Sequence, residues 1–208
     1  MVKIDPTKYE FEIYQNKNKK DAKNIKEIHT ETNSLLTFNG AYFTEDFKPT
    51  GLLINKGHII KNLTGAELTN GILTINRSGV PFILSNTVNF DPKNFDFAIQ
   101  NGPILIDNGG EIQISDENKK TASRTVIGVD KNNHLVVIIL KRSLLNATNA
   151  ISLYDMAKII KDSSQIGQLG LKSVLNLDGG SSTGLAIDDT YFAEMEKVQN
   201  VIITKWKN

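Results

Sequence analysis

Short apolar runs recur along this chain, and each is cut off by Gly, Asn, Asp or Pro before it is long enough to form a helix. Gly51–Ile54, Gly71–Ile75, Val80–Leu84, Phe95–Ile99, Pro103–Ile106 and Glu111–Ile114 follow one another in this way. Runs of this length between turn-forming residues predict a strand-rich fold with tight connections. Tyr9, Phe11 and Ile13 alternate with Glu10 and Glu12, a period of two that predicts a half-buried strand. Ser34–Phe38, Ser173–Leu177, Gly184–Ile187 and Val201–Thr204 predict further strands. Val126–Val129 and Leu135–Leu140 flank Asp130-Lys131-Asn132-Asn133 and predict a hairpin.

One segment carries a helical period. Leu153, Met156, Ala157 and Ile160 fall at i, i+3, i+4 and i+7 after a Ser152/Asp155 capping signal, and Gly167 and Gly170 bracket the end. The polar, Lys-rich stretch 16–26 predicts a solvated loop. The fold class expected is α+β: a single domain over residues 1–208 with a long mixed or mostly antiparallel sheet and few helices packed on it. Residues 1–37 form its least defined part, a strand and loop segment.

Composition closes several functional classes. With 24 Lys plus Arg against 23 Asp plus Glu, the chain has no basic footprint for nucleic acid. Cysteine is absent, which excludes a thiol nucleophile, a Cys-ligated metal and a disulfide framework. The histidines His29, His58 and His134 are scattered; His58 reads as a turn cap and His134 as exposed. No cofactor is expected. Asp178 and its neighbouring hydroxyls could hold a divalent ion, but no full ligand set is visible. No segment reaches the ~20 apolar residues of a membrane span, and the first residues show no leader.

Four short stretches can carry chemistry. Asn176-Leu177-Asp178-Gly179-Gly180-Ser181-Ser182-Thr183 sets a carboxylate beside two glycines and three hydroxyls. The glycine amides can cradle an anion and the hydroxyls can bind neutral groups. Alone, Asp-Gly-Gly is equally the composition of a tight turn. In Ser123-Arg124-Thr125, a scarce arginine heads an apolar strand, where its planar fork could clamp a phosphate or pair with a surface acid. Asn39-Gly40-Ala41-Tyr42-Phe43 and Gln100-Asn101-Gly102-Pro103 place amides at strand ends, for a ligand or simply for a turn. No G-x-S-x-G elbow, Walker loop or G-x-G-x-x-G occurs.

The order of these motifs is more specific than any one of them. N-G-A-Y-F, P-x-G-L-L-I-x-x-G, Q-N-G-P-x-L-I, S-R-T-x-I-G, a helix and N-L-D-G-G-S-S, in that sequence, resemble the phosphodiester glycosidase family. The likeness runs from about Phe38 to Asp188. It implies hydrolysis of a sugar joined through its anomeric oxygen to a phosphodiester. It points to Asp178, Arg124 and Asn39 as catalytic, with Gly179 and Gly180 at the substrate and Asn101 and Gly102 as an extension; the hydroxyls of Ser181, Ser182 and Thr125 are read from their chemistry as further substrate-binding groups. Where the family usually has glycine this chain has Ala41 and Ser181, and both added β-carbons are expected near the pocket.

The chemistry agrees with that implication. Arg124 and the Gly179–Gly180 amides would hold developing phosphate charge, and Asp178 would orient or deprotonate water. Attack at carbon or at phosphorus stays open. A two-carboxylate glycosidase would need a second acid, for which Glu45, Asp46 and Asp188 are available. The expected partner is a small-molecule or glycan phosphodiester, and its chemistry implies a secreted or periplasmic protein. A module that binds a glycan phosphate without cleaving it is the alternative.

Overall fold

Strands that pack on both faces lose the period-two signal and become continuous apolar runs. This explains the most legible elements. In a computed structural model that describes residues 1–117, 119–141, 150–162, 169–192 and 196–207, β10 (Arg124–Asp130), β11 (Leu135–Leu140) and β12 (Leu171–Asn176) are buried on both sides. Ile127, Val137 and Leu175 face a central core, while Val126, Val136 and Val174 face a helix on the other side. With β1 (Val2–Ile4) and β9 (Ile104–Ile106) these strands form a first sheet, ordered β1-β11-β10-β12-β9.

A second sheet contains β2 (Tyr9–Gln15), β3 (Leu36–Asn39), β13 (Leu185–Ile187), β14 (Thr190–Tyr191) and β15 (Asn200–Trp206), in the order β14-β13-β3-β15-β2. The third is β5-β4-β8-β6-β7, built from β4 (Leu53–Asn55), β5 (His58–Lys61), β6 (Gly71–Asn76), β7 (Pro81–Ser85) and β8 (Phe95–Asn101). Every strand pairing is antiparallel. The sheet-dominated α+β architecture expected from the sequence is the one adopted, with the strands shared among three sheets. Phe38, Leu53, Ile99, Ile127, Leu175 and Ile202 bring all three into one buried core.

The expected helix is α2 (Leu153–Lys161). The Ser152 side chain accepts from Asp155 N–H at 3.0 Å, satisfying one of the donors that a helix start leaves open. Leu153, Met156, Ala157 and Ile160 bury one face against the first sheet, roughly 1.5–3 kcal/mol for each large apolar side chain. Gly167 lies outside the described residues.

Four expectations need correction. A second helix, α1 (Ile25–Thr32), begins inside the stretch read as loop. Asn24 accepts from Glu27 N–H at 3.0 Å, and the Glu27 carboxylate accepts from Asn24 N–H at 2.7 Å. This reciprocal cap fixes the start, and Ile25 and Ile28 pack on the second sheet with Val201 and Ile203. Glu111–Ile114 forms only an isolated bridge, Ile112 to Ile106. His58 caps no turn but opens the exposed strand β5. His134 is half-buried, with Nδ1 3.2 Å from Asp130 Oδ2.

Candidate active site

The antiparallel pairing Val126–Asn176 brings the start of β10 beside the end of β12. Arg124 and Asp178 are therefore neighbours in space although 54 positions apart in sequence (178 less 124). Both line a cavity of about 680 Å³, together with Tyr42, Leu68, Pro103, Lys120, Leu153, Gly179 and Gly180. The size suits a small ligand. Among the described residues, Asp178 is the only carboxylate in this lining.

Burial pushes the Asp178 carboxyl up to about 6, against hydrogen bonds from Ser182 and Gly179 that pull it down. Its Oδ1 accepts from Gly179 N–H at 2.8 Å. A group poised near neutrality in a cavity is suited to move a proton. Arg124 is half-buried, which lowers its guanidinium pKa without threatening its charge. Its Nε donates to the Ile151 carbonyl at 3.2 Å and one terminal nitrogen to the Lys120 carbonyl at 2.6 Å. No described carboxylate lies within ion-pair distance of it. Two of five N–H donors are spent on positioning, and three have no partner among the described residues.

Tyr42 completes the wall. Its hydroxyl donates to the Gly102 carbonyl at 2.9 Å and accepts from Asn176 Nδ2 at 2.7 Å. Burial and the nearby Asp178 charge push the phenol up to about 12, so it stays a neutral hydrogen-bonding group. The sequence motif that contains Tyr42 drew attention to its amides and not to this hydroxyl. The loop that carries it is fixed by Asn200, whose side chain accepts from Ala41 N–H at 2.7 Å and donates to the Ala41 carbonyl at 3.2 Å. That role escaped the sequence, because nothing local to Asn200 shows its register with Asn39 and its neighbours.

The candidate residues divide into a cavity wall and the layer beneath it. Asp178, Arg124, Gly179 and Gly180 form part of the wall. Asn39 does not reach it. The side chain is fully buried, donates to the Asp178 main-chain carbonyl at 2.6 Å, and accepts from Thr125 Oγ1 at 2.7 Å and Gly184 N–H at 3.1 Å. Thr125 is thus committed to Asn39. Asn101 is also buried, donating to the Gly40 carbonyl at 3.2 Å and accepting from Gly102 N–H at 3.0 Å. Gly102 contributes the carbonyl that holds Tyr42 and Asn176. Ser182 bonds the Asp178 carboxyl from behind, and Ser181 is exposed outside the lining.

Three further expectations change. The Gly179 and Gly180 amides form no anion cradle, because the first donates to Asp178 and the second to the Ser123 carbonyl at 2.8 Å. Ala41 buries its methyl group in the central core, away from the cavity. Neither Ala41 nor Ser181 therefore adds a β-carbon to the wall. Glu45, Asp46 and Asp188 are exposed and line no part of this cavity, with Asp46 paired to Lys48 at 2.7 Å. Among the described residues no three His, Asp or Glu side chains converge on a metal-sized site.

The antiparallel sheets thus bring one carboxylate with a raised pKa and one guanidinium, which has no carboxylate partner among the described residues, to the same cavity. A family model described as phosphodiester glycosidase matches residues 32–205, and the chain belongs to that family. Uncharacterized protein YigE of Escherichia coli strain K12 is 26% identical over 165 residues, which is 74% of this chain and 59% of that protein. A hypothetical protein from Synechocystis superposes with a TM-score of 0.75 at 16% identity, over 99% of this chain and 58% of its own. The zebrafish N-acetylglucosamine-1-phosphodiester alpha-N-acetylglucosaminidase catalytic domain, auto-inhibited by its pro-peptide, superposes at 0.74 with 18% identity, over 97% of this chain and 74% of its own. The chain thus spans under two thirds of the Escherichia coli and Synechocystis proteins.

Proposed function

We propose that the protein hydrolyses a sugar-1-phosphodiester, such as an N-acetylglucosamine phosphodiester or a related cell-surface glycan phosphodiester, to free sugar and a phosphomonoester. The observation that carries this reading is that Asp178 is the one carboxylate lining the cavity among the described residues. A glycosidase that expels an alcohol needs a second acid to protonate the departing oxygen. A phosphomonoester leaves readily as an anion, so one base and one cation suffice.

In the step proposed, Asp178 takes a proton from water and the resulting oxygen nucleophile attacks the anomeric carbon. The C–O bond to phosphate breaks with its electron pair on the phosphate oxygen, and the free N–H groups of Arg124 hold that charge. Lys120 at the rim adds a second cation. Asp178 then returns its proton to solvent. Leu68, Pro103 and Leu153 supply an apolar wall for the less polar face of a sugar. Glycan phosphodiesters lie mostly outside the cytoplasm, and we place the action of the protein there. No described helix is long and apolar enough to cross a membrane.

Phosphorus NMR in oxygen-18 water tests this. A pool of sugar-1-phosphodiesters, including UDP-N-acetylglucosamine, is followed with the native protein, Asp178→Asn and Arg124→Ala. The expected result is a phosphomonoester or free nucleotide from the native protein alone, with the label in the sugar. Label in the phosphate would overturn attack at carbon. Thermal protection by these compounds without any product would make the protein a binding module.

A further inference from the structure

We propose that a groove at the far end of the second sheet is a non-catalytic binding site for a neutral oligosaccharide, with Trp206 as its stacking platform. The groove encloses about 690 Å³, as much as the catalytic cavity, and shares no lining residue with it. Strand β15 connects the two. At one end, the Asn200 carbonyl accepts from Gly40 N–H at 3.2 Å, beside the catalytic loop. Trp206 closes the other end, roughly 20 Å away at about 3.4 Å per residue.

Trp206 is 60% exposed, a large apolar surface to leave in water. Its position is fixed. It pairs across the sheet with Tyr9, ring centroids 4.6 Å apart and planes tilted by 35°. Tyr9 and Glu10 line a neighbouring, smaller cavity of about 230 Å³. Trp206 on the larger groove and Tyr9 on the smaller cavity are thus in ring contact, and Glu10 borders both. This run suits a chain longer than a disaccharide.

The chemistry of the larger depression selects the occupant. Glu10, Asn33, Asp188 and Asp189 ring it with hydrogen-bond acceptors. Sugar hydroxyls donate to such groups, and the apolar face of a pyranose covers an indole. Lys205 is the only Lys or Arg in the lining among the described residues, and it leans toward Glu12 at 3.8 Å. The site is net acidic and repels phosphodiesters and uronic acids, so its ligand differs in charge from that of the catalytic cavity.

The floor is preformed. Buried His29 lies 3.0 Å from the Asp188 carbonyl through Nε2 and 3.0 Å from Thr37 Oγ1 through Nδ1. It ties α1 and β3 to the β13–β14 turn, where Asp188 adopts a left-handed φ of 49°. A polysaccharide held here would keep a phosphodiester on the same polymer near the catalytic cavity. Binding itself does not require turnover.

Trp206 is the only tryptophan in the chain, so selectively excited tryptophan emission reads this groove alone. The full chain is titrated with hexasaccharides of N-acetylglucosamine, glucose and mannose. A saturable emission change with at least one of them is expected, with the same affinity in Asp178→Asn. By calorimetry, Trp206→Ala should weaken binding roughly tenfold while turnover of a small soluble substrate is unchanged. Glu10→Ala, an exposed position, provides a second loss if Trp206→Ala folds poorly. No saturable change with any of the three sugars overturns the proposal, as does binding undiminished in both variants. An emission change that follows protein concentration without sugar, together with dimer in sedimentation, makes the Trp206 surface a subunit contact and also overturns it.

Discussion

The Asn39 side-chain amide donates to the main-chain carbonyl of Asp178 at 2.6 Å and joins the end of β3 to the residue proposed to carry the proton chemistry. The same amide accepts from Thr125 and Gly184, so one buried side chain locks three segments beneath the cavity. Asn39→Ala leaves three polar groups without partners, each costing about 1–3 kcal/mol. The urea midpoint should fall, and kcat should drop roughly 10- to 100-fold with KM little changed, because Asn39 acts through Asp178. Unchanged stability with a raised KM would instead put Asn39 in contact with substrate.

Asp178→Asn separates catalysis from stability. The native carboxyl titrates near 6 and its ordinary value is 3.8, so burial favours the protonated form. The contribution to stability is complete below 3.8 and is lost as pH rises through about 6. At pH 8 the ionised group costs the native state about 3 kcal/mol, two pKa units at 1.36 kcal/mol each. Asparagine removes that charge and keeps an oxygen for Gly179 N–H. Melting at pH 8 should show the variant at least as stable as the native protein, and the advantage should disappear near pH 4. Turnover should fall by about 10²–10⁴. Destabilisation at pH 8 would mean that the native carboxylate is held by a partner it needs.

The pH–rate profile follows from the same group. If Asp178 is the base, kcat/KM rises with pH, about tenfold per unit below 6, and levels off above it. Tyr42, near 12, and the Arg124 guanidinium add no ionisation between pH 6 and 9. The expected curve has a single acidic limb. A rate that falls as pH rises through 6 would give Asp178 the role of proton donor.

Much of the fold was legible because burial on two faces writes itself as unbroken apolar runs, as at Val126–Val129 and Leu135–Leu140. Helix α2 was legible because its apolar stripe is complete. Helix α1 was obscured because Ile25 and Ile28 stand among polar residues; its one local signal is the Asn24/Glu27 cap. At the site, the motif order identified the right segments but not the directions of their side chains. Asn39, Asn101 and Thr125 sit at strand ends like true ligands of substrate, yet a one-residue change of face separates a cavity group from a buried one. The Gly179 amide turns back to Asp178, and the Gly180 amide is occupied by Ser123, a contact between segments that no local pattern records.

That contact sets the last prediction. A β-carbon on Gly179 would lie 2.9 Å from the Ser123 carbonyl oxygen, and Gly180 with a φ of 62° donates to the same oxygen. Main chain meets main chain here, so no side chain can move aside. In Gly179→Ala the 179–180 segment must lift from 123–124, carrying Asp178 away from Arg124. Displacement of reacting groups by ~1 Å can cost about 10²-fold in rate. kcat/KM should therefore drop by about that factor. Ser181→Gly, two positions on at an exposed residue outside the wall, should stay within about twofold, which is ordinary for a surface change. Equal activity in Gly179→Ala and the native protein would show that the register between these two segments does not set the catalytic geometry.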